Sequence, residues 1–169
     1  SYLFESIGYK MEIRKFKKAD TKAVVDIWNE VVKQGVAFPQ KDLLDEKEGY
    51  TFFSSQSYTG VAVDDGQIVG MYILHPNNVG RCGHICNASY AVKTDQRGKH
   101  IGKQLVQDCM HQAKRLGFRI LQFNAVVATN AAALHLYQEL GFVQLGTIPN
   151  GFALDDGTYE DIIVHYKTL

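Results

Sequence analysis

Asn87-Ala88-Ser89-Tyr90-Ala91-Val92-Lys93-Thr94-Asp95-Gln96-Arg97-Gly98-Lys99-His100-Ile101-Gly102 is the stretch that decides the fold. It begins as a strand and passes through a short, basic, glycine-containing loop. It then opens a helix, Lys103 to Leu116, in which Leu105, Val106, Cys109, Met110, Ala113 and Leu116 recur at helical spacing. A strand, a basic turn and a helix start together make an anion site. The first N–H groups of a helix have no partner inside it, and its dipole is positive at that end. Phosphate oxygens fit there, and Arg97, Lys99 and Lys103 add charge. The loop is not a Walker loop, since no Gly-Lys-Ser/Thr closes it. Nor does it carry the three-glycine spacing of a dinucleotide fold.

Downstream lie a second strand, Arg119 to Val127, and the run Asn130-Ala131-Ala132-Ala133-Leu134-His135-Leu136-Tyr137-Gln138-Glu139-Leu140-Gly141-Phe142. Arg97 to Gly102 resembles the R/Q-x-x-G-x-G/A pyrophosphate loop of the GCN5-related N-acetyltransferases. Asn130 to Phe142 resembles their N-x-x-A-x-x-x-Y-x-x-x-G-F helix. The resemblance implies an α/β fold with a mixed, mostly antiparallel sheet and helices on both faces. It also implies a splayed pair formed by the fourth and fifth strands of the domain (β4–β5 of that fold), here His84–Val92 and Arg119–Val127. Acetyl-CoA would lie in that gap, with its pantetheine arm along Tyr90, Ala91 and Val92. Its pyrophosphate would sit on Arg97, Gly98, Lys99, His100, Ile101, Gly102 and Lys103. One departure stands out: the middle glycine of the loop is His100. Histidine accepts an unusual backbone more readily than a β-branched residue does.

Tyr137 matches the tyrosine whose hydroxyl serves the thioester sulfur in this family. A phenol within hydrogen-bond reach can protonate the departing thiolate. Asn130 is an N-cap by residue type, and the matching side chain contacts the cofactor. The helices between Asp20 and Ser54 correspond to the pair that covers the acceptor, which makes Trp28 a substrate-binding candidate. Many relatives carry a basic carboxylate near the position of Asn87, and asparagine cannot act as a base. Proton removal then falls to a water, to His84 or to His135. Asn124 stands on the facing strand. Asparagine is disfavoured within strands, so Asn87 and Asn124 are read as acceptor-binding residues that face the gap.

Composition narrows the class. A chain of 169 residues has the size of one domain with a real core. Formal net charge is zero, which gives no sign of a nucleic-acid partner. No apolar run approaches the ~20 residues of a membrane span. Cys82, Cys86 and Cys109 form no C-x-x-C pair and read as free thiols of a reducing, cytoplasmic setting. No metal site is expected.

The remaining elements follow from alternation and punctuation. Residues 1–10 carry no period and read as an N-terminal extension or remnant, with a single acetyltransferase domain over 11–169. Met11 to Phe16 alternates as a strand. Asp20 caps a helix whose apolar face is Val24, Ile27, Trp28, Val31 and Val32, with Gly35 as its stop. A second helix is expected over Leu43 to Ser54. Tyr58–Val63 and Gln67–Leu74 flank Asp64-Asp65-Gly66, a strong hairpin turn. Val143–Ile148 and Tyr159–Tyr166 flank Asp155-Asp156-Gly157. Aromatic-rich ends are consistent with a homodimer.

Gly83-His84-Ile85-Cys86-Asn87-Ala88-Ser89, with Phe123-Asn124, Thr129-Asn130 and the preceding His75-Pro-Asn-Asn-Val-Gly-Arg, is also similar to the fungal acetyltransferases of proline analogues such as azetidine-2-carboxylate. Phosphinothricin-type amino-acid acetyltransferases come next. The favoured acceptor is therefore a small amino or imino acid. Acetylation of protein or peptide amines is a second expectation, and a non-catalytic acyl-CoA-binding module a third.

Overall fold

Every residue from Val69 to Leu74 is buried, so the strand that holds them must be covered on both faces. A computed structural model, describing residues 2–6, 9–98 and 100–169, shows how. In chain order the elements are β1 (Tyr2–Ser6), β2 (Tyr9–Lys15), α1 (Thr21–Gln34), α2 (Glu46–Ser54), β3 (Tyr58–Asp64) and β4 (Gln67–Pro76). Then come β5 (Ile85–Val92), α3 (Ile101–Arg115), β6 (Ile120–Val127), α4 (Ala131–Glu139), β7 (Val143–Ala153) and β8 (Tyr159–Thr168). Among the described residues eight strands form one sheet, in the order β1-β2-β3-β4-β5-β6-β8-β7. All neighbours are antiparallel except β5 and β6.

One face of the sheet packs on α1 and α2. Val24, Val25, Ile27, Trp28, Val31 and Phe53 meet Val61, Met71, Ile73 and Ala91 there. The other face packs on α3, where Leu105, Val106, Cys109 and Ala113 meet Tyr72, Leu74, Cys86, Ala88 and Leu121. This is the mixed, mostly antiparallel sheet with helices on both faces that the motifs imply.

The hairpin between β3 and β4 closes through Asp65 and Gly66, both at positive φ (49° and 76°), as the Asp-Asp-Gly turn requires. Several boundaries differ from expectation. α2 begins at Glu46 rather than Leu43, because Leu44 gives both backbone groups to Asn29: its N–H donates to Oδ1 (2.9 Å) and its carbonyl accepts from Nδ2 (2.8 Å). Asp45 then caps the helix in a reciprocal box with Glu48. Tyr2–Ser6, expected to be an extension, adds an edge strand to β2. β7 runs to Ala153, past the expected Ile148, through an irregular step between Ile148 and Phe152.

Candidate active site

β5 and β6 pair for only two rungs, Ile85↔Ile120 and Cys86↔Leu121, and then part. Among the described residues, the side of β5 that faces β6 has no strand partner from Asn87 onward. The divergence has a local cause in β6. Its pairing with β8 slips between Phe123↔His165 and Val126↔Ile163, so Asn124 and Ala125 oppose a single residue. Such a bulge bends and twists the strand that carries it. It also reverses the face parity. Strict alternation would put Gln122, Asn124 and Val126 on one face, but Val126 instead joins Leu121 and Phe123 in the α3-side core.

The opening leads into a groove of about 620 Å³. Tyr90, Ala91 and Val92 form its floor, Arg97, Gly98, Ile101 and Gly102 close one end, and Asn130 and Tyr137 line its side. Nine of the residues expected to hold the cofactor thus line one groove; His100 and Lys103 are not in its lining, and Lys99 lies outside the described residues. Gly98 and His100 both take the left-handed backbone, at φ 86° and 59°. Two such residues in three turn the chain sharply enough to point the start of α3 at the groove. His100, standing where the resembling loop has glycine, adopts the backbone glycine would adopt, at a cost of roughly 1–2 kcal/mol for a residue with a Cβ. Among the described residues no side chain caps α3 at His100, which leaves the first N–H groups of the helix for another partner.

Arg97 of the loop and Lys103 in the first turn of α3 are each held by a neighbour. Arg97 Nη2 donates to Gln34 Oε1 of α1 (3.1 Å), and the Thr94 N–H donates to Glu30 Oε1 (3.2 Å). Lys103 is paired with Glu139 of α4. The loop is thereby tied to α1, and the first turn of α3 to α4. Sequence reasoning had no signal for Glu30, Gln34 or Glu139, because all three act across elements distant in the chain.

Tyr137 is half-buried, with its ring 4.5 Å from Phe123, 5.4 Å from Phe142 and 5.7 Å from His165, centroid to centroid. It lines the side of the groove. Burial pushes the phenol above its ordinary pKa of 10.0, so it holds its proton. His165 beneath it is fully buried, bonded through Nδ1 to the carbonyl of Ile163 (3.1 Å), and burial lowers its pKa against that bond. It presents a neutral ring. Asn130 caps α4 by accepting from the Ala133 N–H (3.2 Å), which leaves its amide N–H groups for a ligand.

Trp28 does not reach the groove. It is 1% exposed and packs against Phe38, Phe52 and Phe53. The helical period that puts it on the apolar face of α1 also puts it in the core, so it is a packing residue and not the substrate-binding residue expected.

Asn87 and Asn124 meet at the apex of the splay through a third asparagine. Asn77, in the connection between β4 and β5, accepts at Oδ1 from Nδ2 of Asn124 (2.7 Å) and of Asn87 (3.3 Å). Asn87 lies half-buried on the α1–α2 side, next to His75 on β4, and Asn124 is exposed. Asn77 belongs to the His75-Pro-Asn-Asn run, where a polar loop gives no sequence signal for a site residue. His84 and His135 are both exposed, one before β5 and one on α4. Among the described residues no group of three or more His, Cys, Asp or Glu could hold a metal ion, and no helix is long and apolar enough to cross a membrane.

A parallel strand pair that opens over an uncapped helix start, with a protonated phenol beside the opening, suits an enzyme that transfers an acyl group from a long phosphorylated carrier. Residues 23–142 match the acetyltransferase (GNAT) family, and the chain belongs to that family. Members use acetyl-CoA as the acetyl donor, and the chain is an acyltransferase. It is 38% identical over 81 residues to the N-acetyltransferase aca1 of Schizosaccharomyces pombe, across 48% of this chain and 39% of that protein. The match therefore spans well under two thirds of aca1. It is 26% identical to the L-amino acid N-acyltransferase MnaT of Escherichia coli, across 82% of this chain and 83% of that one. A solved GCN5-related N-acetyltransferase from Kribbella flavida superposes with a TM-score of 0.86 at 34% identity, covering 94% of this chain and 98% of that one.

Proposed function

We propose that this enzyme acetylates the amine of a small amino or imino acid, taking the acetyl group from acetyl-CoA. One observation carries the acceptor class: the Asn87 and Asn124 amides converge where β5 and β6 part. Asparagine in adjacent strands is disfavoured without a reason, and a small polar substrate supplies one. The similarity to an amino-acid N-acyltransferase supports the same class.

The residues present fit acetyl-CoA. The unpaired side of β5 at Tyr90, Ala91 and Val92 has backbone groups for an amide-containing arm. The left-handed turn at Gly98 and His100 leads into the uncapped start of α3, with Ile101 and Gly102 at its head and Arg97 and Lys103 nearby, for a pyrophosphate. Asn130 keeps amide donors for the same ligand. When bound, acetyl-CoA supplies a thioester carbonyl open to attack by an amine. Tyr137 holds a proton at its hydroxyl for the departing sulfur. Asn87 and Asn124 orient the acceptor, each with one amide N–H left for its carboxylate. The acceptor amine must shed a proton to attack, and water reaching the open apex takes it.

A homodimer is part of the reading. Val143, Leu145 and Ile148 on the edge strand β7 are 47%, 60% and 51% exposed, an apolar strip suited to a second copy. Light scattering at micromolar concentration checks it, and a monomer mass would remove it.

The test of the activity is thiol release from acetyl-CoA with a panel of amino acids, imino acids, polyamines and peptides. Turnover is expected with one or more amino or imino acids. Turnover confined to peptides or polyamines would overturn the acceptor class.

A further inference from the structure

We propose that Asn77 is a positioning residue of the acceptor site: it turns the amides of Asn87 and Asn124 so that both offer N–H groups, and so sets a preference for a carboxylate. The proposal rests on the amino-acid reading above.

The polarity of the cluster follows from one backbone group. The Ala88 N–H can only donate, so the Asn87 side-chain atom 2.7 Å from it is the oxygen. The Asn87 nitrogen must then point the other way, to Asn77, and the Asn77 atom that receives it must be Oδ1. That same oxygen receives Asn124 at 2.7 Å, so Asn124 also presents its nitrogen. The Asn124 oxygen is left facing Gln122, whose Nε2 donates to it at 3.0 Å. Asn77 cannot easily turn over. Its own N–H donates to the Ile85 carbonyl (2.8 Å) and its Nδ2 donates to Asn78 Oδ1 (2.8 Å). Each amide nitrogen carries two hydrogens. Asn87 and Asn124 each spend one on Asn77 and keep one.

Two prealigned donors and oxygens turned toward protein donors favour an anion and disfavour a group that must itself donate. Remove Asn77, and Asn124 is free to rotate by half a turn and offer its oxygen instead. Its preference for a carboxylate over a carboxamide is then lost, since specificity is the difference between two affinities. Asn77 touches no acceptor in this scheme; it acts through the two amides.

The test uses the full chain and compares the best amino-acid acceptor with its own carboxamide. Asn77→Ala should raise KM for the amino acid about 5–20-fold, the value of one weakened hydrogen bond to a charged group. KM for the carboxamide should change less than about twofold, and so should kcat and the KM for acetyl-CoA. Asn77→Asp keeps an oxygen for both amides and adds a negative charge beside the carboxylate. Its selectivity should fall further and recover in part at about 0.5 M salt, where exposed charges are screened. The aspartate variant is close to isosteric and carries the test if the alanine variant does not fold. Unchanged selectivity in a folded variant, or an equal rise in KM for both acceptors, would overturn the role of Asn77 while leaving the amino-acid reading intact. No turnover of any amino or imino acid by the unmodified chain would overturn that reading and this assignment with it.

Discussion

The two ends of the opening between β5 and β6 are built differently. The wide end, at the start of α3, is made of backbone: an unpaired strand edge, two left-handed residues at Gly98 and His100, and uncapped N–H groups. The narrow end, at Asn77, Asn87 and Asn124, is made of side chains that reach across three elements. Backbone sites tolerate many side chains but are spoiled by bulk or charge placed in the path of the ligand. Side-chain sites tolerate local bulk better but lose selectivity when one amide turns.

The sharpest way to break the wide end is a charge in its path. Gly102 lines the groove, and a Cβ built there would meet only Leu136 Cδ2, at 3.9 Å. The protein would therefore accept Gly102→Glu, while a pyrophosphate would meet its carboxylate. Like charges ~4 Å apart at the surface repel by about 4 kcal/mol. A loss of acetyl-CoA affinity of ~100-fold or more is expected in a calorimetric titration; unchanged affinity in a folded variant would mean that the phosphates bind elsewhere.

Between the two ends stands Tyr137. Tyr137→Phe removes the proton and little volume, so kcat should fall by roughly 10–1000-fold with acetyl-CoA affinity nearly intact. Burial raises the phenol above 10.0, and a raised pKa keeps an acid protonated to higher pH. The wild-type kcat should therefore show no alkaline fall from this group below about pH 10. A descending limb near pH 8 that vanishes in the phenylalanine variant would contradict the raised pKa.

Legibility followed the same division. The wide end could be read because its parts are contiguous: strand, glycine-bearing loop and helix period all lie between Asn87 and Leu116. Even the His100 departure was readable as a backbone demand. The narrow end was readable only at Asn87 and Asn124, which stand out as polar residues in strands. Asn77 sits in a polar loop, where asparagine is unremarkable. The bulge at Asn124 and Ala125 has no glycine to mark it, so strict alternation misplaced Val126. Trp28 failed for a related reason. Its period showed that it faced inward, and the apolar face of a helix is more often core than ligand wall. Propensity extends α2 to residues 43–44 because it contains no signal for Asn29 holding both backbone groups of Leu44.

For the narrow end, Asn87→Ala or Asn124→Ala should raise the acceptor KM by about 10–150-fold, the worth of a hydrogen bond to a charged group, and leave acetyl-CoA affinity unchanged. The effect should be somewhat smaller for Asn124, which is exposed, than for the half-buried Asn87. Wild-type acceptor kinetics in both variants would detach the cluster from the acceptor.

The smallest effect separates backbone from side chain within the wide end itself. His100 sits at φ 59° and ψ 20°, where a Cβ crowds the following carbonyl. Glycine relieves that crowding, although it also loosens the unfolded chain, and the two effects partly offset. His100→Gly should therefore stabilise the protein by about 0.5–1 kcal/mol, a rise of ~1–4 °C in Tm for a domain of this size. His100→Val, β-branched and poorly suited to positive φ, should lower Tm by at least as much. If the loop works through its backbone, the glycine variant binds acetyl-CoA within about twofold of wild type, because the N–H groups of α3 keep their direction. If the imidazole itself donates to the phosphates, the glycine variant gains stability but loses affinity by about 3–10-fold, the worth of one such bond in an exposed site. Thermal melting and calorimetry on the same pair of variants distinguish the two, since only a side-chain contact makes stability and affinity move in opposite directions.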